Sequence, residues 1–449
     1  MLSQRYALVH QRILRNELFR PTELGHAQRK ATALQHKLTP IESLLGKTAQ
    51  NTSNTLLLLG ILVQVEEGHY YLEDPSGQVL LSFQDAAPVD GFFVTEHCIL
   101  LTEGTFQDGI FYVQRMGHPL LETRETSLQA IQQQVFHPSF ALHSNKTTSA
   151  VVNNDASVVT LSDVHLDQPR VLQHLEGLLA TYENYSPRRL PLFLFMGNFL
   201  SMPADFSGRS SSSGGSGGHM SMRQAMEELA NLIAKFPNLA RHAHFCLIPG
   251  PNDGVGHVLP FPPLPVQPAV QNKVAHVHWG SNPCRITWNG RELVAFRYDL
   301  LHVLQREQVL LQDAINYADD NDDDDMDEDA KHRRQPHCRL VKTVLDQGHL
   351  IPVQGVPVYW NYAHALQLYP LPDALVLGGD HVPVPYHEVY GGCDVIHPGS
   401  LHDSDGSYAV YAPDRDNDDD HSANCEFAAT TVEFCQLGDD SSRLAESRD

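Results

Sequence analysis

A carboxylate and an imidazole stand two residues apart in the segment VVTLSDVHLDQP, at Asp163 and His165. Carboxylate oxygens and imidazole nitrogens are ligands that divalent metals bind in proteins. Metal ions held in this way polarise phosphate esters and activate the attacking water. The preceding run VVTL predicts a short buried strand that ends just before the two side chains. The segment is therefore typical of the first ligands of a metal-dependent phosphoesterase.

Four more groups of polar residues follow in the order that such a site requires. They comprise a Gly-Asn pair, the segment GPND, a histidine in DQGHLIPV and a histidine in LVLGGDHVP, at Asn198, Pro251, Asn252, His349 and His381. The order resembles that of the calcineurin-like metallophosphoesterases, whose motifs run DxH, GD, GNH, His and GHxH. In those enzymes the ligands hold two metal ions roughly 4 Å apart.

Several of these positions depart from the phosphoesterase pattern. Asn198 is neutral where a bridging aspartate should offset the repulsion between two cations. Pro251 offers no ligand atom, and the amide of Asn252 is no general acid at neutral pH. Gly379 stands where GHxH would supply its first histidine. We interpret the group as hydrogen-bonded remnants of an abandoned site, with no catalytic residue, metal or cofactor.

An alternative function stays open at this stage. The surviving Asp163, His165, His349 and His381 would suffice for a degenerate site with a single metal ion. Under this alternative, the chain is an active metal-dependent phosphoesterase.

Strands and helices alternate around these residues. The runs VVTL, LPLFLFMGN and AHFCLIPGPND predict strands. PRVLQHLEGLLATY predicts a helix with Leu172, Leu175 and Leu179 on one face and Pro169 near its first turn, and MRQAMEELANLIAKF predicts a second helix. Such a βαβαβ series favours a largely parallel or mixed sheet with functional loops after its strands.

Short strands separated by turns occupy residues 55–119. Pro75-Ser76-Gly77 predicts a tight turn, and about five strands in this length indicate a closed barrel of the OB type. The aromatic residues of the segment are Tyr70, Tyr71, Phe83, Phe92, Phe93, Phe106, Phe111 and Tyr112. Arg115 is its only Lys or Arg against nine Asp and Glu. Because such a surface repels phosphates, we interpret the aromatic residues as core or protein interface.

Composition narrows the remaining possibilities. The longest apolar run, LLLLGILV, is too short to cross a bilayer, so no membrane association is expected. Seven cysteines without regular spacing indicate a reducing compartment, either cytosol or nucleus. The net charge of −23 is concentrated in DDNDDDDMDED (319–329), with nine acids, and DRDNDDD (414–420). We interpret both as solvated acidic loops, and binding of basic proteins is the alternative.

The predicted fold class is α+β multidomain, an OB-type barrel followed by an α/β metallophosphoesterase-like β-sandwich domain. Residues 1–50 form a helical or extended lead-in, in which Leu8, Ile13, Leu14 and Leu18 recur at near-helical spacing. The barrel spans 51–125 and the inactive phosphoesterase domain 150–412, with disordered insertions at 207–218 and 317–332. The C-terminal segment 413–449 is predicted to be partly disordered.

The sequence also resembles the B subunits of replicative DNA polymerases, most closely the epsilon-type subunits, over residues 5–412. The stretches that carry the resemblance are RYALVHQRILRNELF, IESLLGKT, EGHYYLEDPSGQV, LSDVHLDQP, GNFLS, IPGPNDGVG, LPFPPLP, SNPCRITW, DQGHLIPV and PVYWNYAHALQLYPLPDALVL. Two differences stand out. The family carries a small helical domain ahead of the lead-in, whereas this sequence begins almost directly with it. His165 stands where many relatives have lost the imidazole.

This resemblance implies a non-catalytic scaffold in the nucleus. Its OB barrel and inactive phosphoesterase domain would grip the C-terminal zinc-binding region of the polymerase catalytic subunit. Other polymerase subunits and replisome proteins are the further partners implied, and DNA would be met only in the context of the complex.

Overall fold

The computed structural model describes residues 2–19, 36–44, 55–84, 86–87, 91–134, 157–203, 220–309, 335–379, 384–403, 406–412 and 431–437. The chain divides into two compact units. The first comprises Met1–Ser127, Leu300–Val356 and Leu366–Leu371, and the second comprises Leu128–Asp299, Pro357–Ala365 and Pro372–Asp449. Residues 300–356, which the sequence analysis assigned to the phosphoesterase domain, thus group with the barrel. The predicted insertions at 207–218 and 317–332 lie outside the described residues.

The described residues form helices and strands in the following chain order. The helices are α1 (Leu2–Arg15), α2 (Arg124–Gln134), α3 (Pro169–Glu183), α4 (Met222–Ala234), α5 (Pro237–His242), α6 (Pro268–Lys273), α7 (Leu300–Arg306) and α8 (Pro336–Gln347). The strands are β1 (Leu56–Glu66), β2 (His69–Asp74), β3 (Gly77–Ser82), β4 (Ile99–Gln107), β5 (Ile110–Gly117), β6 (Val158–Leu161), β7 (Leu192–Met196), β8 (His244–Ile248), β9 (His276–Trp279), β10 (Cys284–Trp288), β11 (Arg291–Arg297), β12 (Ala374–Gly378), β13 (Tyr386–Tyr390), β14 (Cys393–His397), β15 (Ser407–Ala412) and β16 (Thr431–Gln436). No described helix has the length and apolar character needed to span a membrane.

The first unit contains a closed barrel with the strand order β1-β2-β3-β5-β4. The turn between β2 and β3 is held by Asp74, whose Oδ1 accepts hydrogen bonds from the backbone N–H of Ser76 at 2.7 Å and Gly77 at 3.0 Å. Strand β5 pairs antiparallel with β4 and approaches it closely at Gly104, where an added Cβ would clash with the carbonyl oxygen of Tyr112. The OB-type barrel predicted from the sequence is confirmed.

All eight aromatic side chains singled out in the barrel segment are buried or half-buried. Phe111 lies fully inside the barrel core with Leu62 and Leu72, whereas Tyr70 and Phe83 pack against that core from the side. None of the eight side chains is fully exposed.

Helix α1 lies in the predicted lead-in and buries a face that includes two arginines. The buried residues are Arg5, Tyr6, Val9, Arg12 and Ile13. They share one face because residues three, four and seven positions apart lie together on a helix. Of the residues at near-helical spacing, Ile13 is buried, whereas Leu14 and Leu18 are more than 40% exposed.

The second unit is a sandwich of two sheets. The six-stranded sheet has the order β16-β15-β6-β7-β8-β9, and the five-stranded sheet has the order β10-β11-β12-β14-β13. Strands β6 to β9 are mutually parallel. Alternate residues of β7 face opposite sides, as strand geometry requires. Leu194 therefore joins the core between the sheets, while Phe193 and Phe195 join the core under the helices.

Helices α3 to α6 cover the outer side of the six-stranded sheet. Helix α3 begins with Pro169, where a missing N–H costs nothing, and it buries Leu175 and Leu179 as expected. Helix α4 begins with a capping box, in which Ser221 Oγ accepts from the N–H of Gln224 at 3.3 Å and Gln224 Oε1 accepts from the N–H of Ser221 at 3.0 Å. The predicted βαβαβ series and its parallel strands are confirmed.

Candidate functional site

The ends of β6, β7 and β8 bring several of the expected site residues to one edge of the six-stranded sheet. Asp163 follows β6, Asn198 follows β7, and Pro251 and Asn252 follow β8. Asp163 is fully buried in the left-handed backbone region, with a φ of 57°. This conformation is uncommon for a residue with a side chain and marks a constrained position.

A buried arginine occupies the coordinating face of Asp163. Arg297, the last residue of β11 in the opposite sheet, is fully buried and donates from Nε at 3.0 Å and from Nη2 at 2.5 Å to Asp163 Oδ1. Asp163 Oδ2 accepts from Ser162 Oγ at 3.1 Å. A guanidinium is permanently charged and donates only, so it satisfies the carboxylate with a fixed cation. The first expected metal ligand is thus already engaged by a protein cation.

Two neighbouring residues explain how Arg297 reaches this position. Asn282 holds the end of β11, because its Nδ2 donates to the carbonyl oxygens of Arg297 at 2.7 Å and Pro249 at 2.9 Å. Gly378 leaves the required space, because a Cβ there would lie 2.5 Å from Ser162 Oγ and 3.0 Å from Arg297 Cδ. The side chain of Arg297 is therefore fixed in the core between the two sheets.

Asn198 serves the backbone of the neighbouring loop. Its Oδ1 accepts from the N–H of Asn252 at 2.9 Å, and the whole residue is buried. Gly250 approaches so closely that a Cβ there would lie 2.4 Å from Asn198 Oδ1. The amide oxygen of Asn198 therefore holds two loops together through a hydrogen bond, and this role needs no charge.

Asp253 is a buried carboxylate that joins the same loops. Its Oδ1 accepts from the N–H of Phe199 and its Oδ2 from the N–H of Gly250, both at 2.7 Å. Burial raises the pKa of Asp253 to about 7, although these N–H groups and the positive charge of Arg297 act in the opposite direction. Asp253 therefore shapes the loop through backbone contacts, and both of its oxygens are in use.

Of the three expected histidines, the two that the structure describes belong to different units. His165 is buried and its ring centroid lies 4.8 Å from that of His402, which sequence analysis had not selected. His349 belongs to the first unit, where its buried Nδ1 accepts from the N–H of Ile351 at 3.1 Å. Burial, followed by the nearby charge of Arg5, holds the pKa of His349 well below its usual value. His381 lies outside the described residues.

These residues do not fit the two metal ions of a phosphoesterase. Asn198, a neutral amide, stands where an aspartate would bridge two metal ions. The carboxylate of Asp163 is bound to the guanidinium of Arg297. Among the described residues, neither Asp163 nor His165 belongs to a group of three His, Cys, Asp or Glu side chains whose ligand atoms lie within 4.8 Å of one another.

Sequence reasoning missed Arg297, Asn282, Gly378 and His402, and it included Asp253 only as the last residue of the segment GPND. One signal was present for the arginine, because ELVAFR places a charge directly after a run of apolar strand residues. A charge at that point needs a buried partner if the strand is buried. The paired glycines 378–379 were a second signal, since glycine allows a close approach of other groups.

Comparison with known proteins decides the family. A family model described as "DNA polymerase epsilon subunit 2-like, OB-fold domain" matches residues 1–120, and the family model for the B subunits of DNA polymerases alpha and epsilon matches residues 158–384. DNA polymerase epsilon subunit 2 of Homo sapiens is 34% identical over 424 residues, which cover 92% of this chain and 73% of the human protein. The chain belongs to the family of DNA polymerase epsilon B subunits.

Relatives of this family extend beyond animals. The corresponding DNA polymerase epsilon protein of Arabidopsis thaliana is 32% identical over 428 residues, covering 91% of this chain and 73% of its own length. Among solved structures, an archaeal phosphodiesterase matches 62% of this chain and the whole of its own chain. The identity is 10% and the TM-score is 0.28. The resemblance to polymerase B subunits is confirmed, and these relatives do not favour the alternative of an active phosphoesterase.

Proposed function

We propose that this epsilon-type B subunit is a scaffold without a catalytic site of its own, which binds the catalytic subunit of DNA polymerase epsilon. The observation that carries the proposal is the ion pair between Arg297 and Asp163. A metal ion at Asp163 would have to displace a guanidinium that is fully buried and fixed by the strand that bears it. We therefore expect this edge of the sheet not to bind the metal ion that would activate water for attack on a phosphate.

We propose further that the contact is made with the C-terminal zinc-binding region of the catalytic subunit, in the nucleus. The second unit exposes three neighbouring aromatic residues, Tyr359, Trp360 and Tyr362, and Trp360 is 82% exposed. Tryptophan and tyrosine are enriched at the energetic centres of protein interfaces. Their exposure supports a protein partner, whereas the acidic barrel gives DNA no surface outside the complex.

The predicted domains keep their roles within this proposal. The barrel and the inactive phosphoesterase domain both bind the catalytic subunit. Other polymerase epsilon subunits and replisome proteins complete the assembly. The acidic segments 319–329 and 414–420 lie outside the described residues, and we propose that they are solvated insertions that assembly does not need.

The absence of catalysis is tested with the purified full chain, Mn²⁺ and bis-p-nitrophenyl phosphate. We expect no turnover from the wild type or from Asn198→Asp, because the reversion leaves Arg297 in place and supplies no general acid at Asn252. Mn²⁺-dependent turnover that Asp163→Ala abolishes would show an active phosphoesterase instead.

Scaffolding is tested by co-expression with the polymerase epsilon catalytic subunit. We expect the chain to co-purify with the intact catalytic subunit and not with a version that lacks its C-terminal zinc-binding region. Equal recovery with both versions would place the contact elsewhere on the catalytic subunit. Recovery with neither would contradict the scaffold.

A further inference from the structure

Three histidines share one face at the edge of the six-stranded sheet, away from the residues discussed so far. Strands β8 and β9 run parallel, with His244 opposite His276 and Cys246 opposite His278. Residues two apart on a strand, and residues directly opposite on paired strands, point to the same face. The three imidazoles therefore project from one patch, and β9 is the edge strand of the sheet.

The rings are close enough to act together. His244 Nδ1 lies 3.2 Å from His278 Nε2, and the two ring planes differ by only 9°. The ring of His276 stacks on that of His244 with centroids 4.7 Å apart. His276 and His278 are exposed, and His244 is half-buried beside the indole of Trp288 at 5.5 Å.

The surroundings of His244 favour the neutral form of its ring, which has a lone pair available. Among the described residues, no carboxylate forms an ion pair with any of the three histidines. Burial, together with the charges that His276 and His278 would carry, lowers the pKa of His244. A neutral imidazole is the form that binds transition metals.

We propose that His244, His276 and His278 form a binding site for a divalent transition-metal ion such as Zn²⁺ or Cu²⁺. With metal–nitrogen bonds of about 2.0–2.1 Å, two nitrogens of a tetrahedral site lie about 3.3–3.4 Å apart, close to the separation of His244 and His278. The metal replaces the proton that now lies between these two nitrogens, and that proton leaves to solvent.

Binding requires two small side-chain movements. The nearly coplanar rings of His244 and His278 must tilt so that both lone pairs meet at one point. The nitrogens of all three rings do not lie within 4.8 Å of one another, so His276 must turn toward the pair. His276 and His278 are exposed, so their rings can make most of these movements. An exposed side chain changes rotamer at little cost.

The test is calorimetric titration of the EDTA-treated full chain with Zn²⁺. We expect one ion to bind, and we expect His244→Gln and His278→Gln each to weaken binding at least tenfold. His257→Gln, which removes an exposed histidine outside the patch, serves as the matched control and should bind as the wild type does. Equal thermal unfolding of the metal-free variants shows that the fold is intact.

A second arm separates imidazole from thiol ligands. Cys246 lies on the same face as the three histidines and interacts with Cys284, and Cys284→Ser should leave the affinity unchanged. Co²⁺ bound by the wild type should give d–d absorption without a thiolate charge-transfer band. Absence of Zn²⁺ binding, unchanged affinity in both histidine variants, or loss of binding only in Cys284→Ser would each overturn the proposal.

Discussion

Both units of this chain bury arginine side chains, and Arg12 of the first unit and Arg297 of the second meet different acceptors. In the first unit, Arg12 of helix α1 donates to two backbone carbonyl oxygens, those of Asp346 at 3.1 Å and Leu120 at 2.9 Å. In the second unit, Arg297 donates to the carboxylate of Asp163. The first arginine ties a helix to neutral backbone groups, whereas the second neutralises a buried charge.

The difference lies in what remains when the arginine is removed. Loss of Arg12 leaves two carbonyl oxygens without a donor, and a buried neutral acceptor costs little relative to a buried ion. Loss of Arg297 leaves the carboxylate of Asp163 in the core without a counter-charge. An arginine that neutralises a buried carboxylate is therefore expected to matter more for folding than one that fastens a helix to backbone carbonyls.

The largest effect is expected for Arg297→Met. Because the variant leaves Asp163 buried and unpaired, we expect the free energy of unfolding to fall by about 3–5 kcal/mol. Urea denaturation of the full chain measures the change. Arg285→Met is the matched control, because it breaks the partly exposed pair with Glu292 and should cost less than about 1 kcal/mol.

A double variant sharpens this result. Asp163→Asn combined with Arg297→Met removes both charges, so it should recover more than half of the stability lost in Arg297→Met. If the double variant is as unstable as Arg297→Met, the cost arises from lost packing and the charge argument is wrong. If Arg297→Met is as stable as the Arg285 control, the ion pair contributes nothing to folding.

The next effect concerns Asp253, a buried carboxylate that has backbone donors in place of a guanidinium. Its pKa of about 7 in the folded state lies above the unfolded value of 3.8. Between these values the folded state keeps a proton that the unfolded state has lost, so stability falls as pH rises from about 4 to 7. Relative to Asp253→Asn, the wild type should lose roughly 2–4 kcal/mol across this window.

The measurement is urea denaturation of both proteins at a series of pH values from 4 to 8. Other groups titrate equally in the two proteins, so the difference between them isolates Asp253. A difference that is constant with pH, or one that grows in favour of the wild type, would show that Asp253 is ionised in the folded protein throughout.

A smaller effect is expected for Arg12→Met. The variant loses two charged hydrogen bonds to carbonyl oxygens and keeps an apolar side chain of similar reach, so we expect a loss of about 2 kcal/mol. Gln11→Met, on the exposed face of the same helix, should change stability by less than about 0.5 kcal/mol. A loss for Arg12→Met that equals the loss for Arg297→Met would remove the distinction between neutral and charged acceptors.

The sequence predicted the architecture well, because periodicity reports which side of an element is buried. The runs that became β6, β7 and β8 were recognisable, as was the barrel with its turn at Asp74. Periodicity was less informative for α1, whose buried face includes Arg5 and Arg12, residues that a pattern of apolar spacing passes over.

The same limitation applied to the site. Asp163 and Asn198 were found because motifs along the chain mark them, and their place at neighbouring strand ends follows from the parallel order of β6 and β7. Arg297 lies 134 residues from Asp163 and comes from the opposite sheet. Nothing local in the sequence pairs the two, because the pairing depends on how the two sheets face each other. His349 follows the expected motif order, yet it belongs to the first unit, whereas Asp163 belongs to the second.

The smallest expected effect is binding of single-stranded DNA, for which we predict none by the isolated chain. The barrel segment has one basic residue among nine acids, and that residue, Arg115, is paired with Glu103 at 3.0 Å. Without a row of free cations the barrel releases no condensed counterions, which is the source of most affinity for nucleic acid. Fluorescence anisotropy with a labelled oligonucleotide at low salt should show no micromolar binding, and Arg115→Ala should behave as the wild type does. Binding that weakens steeply with salt and disappears in Arg115→Ala would show that this single charge anchors DNA, and the barrel would then have to be regarded as a nucleic-acid surface.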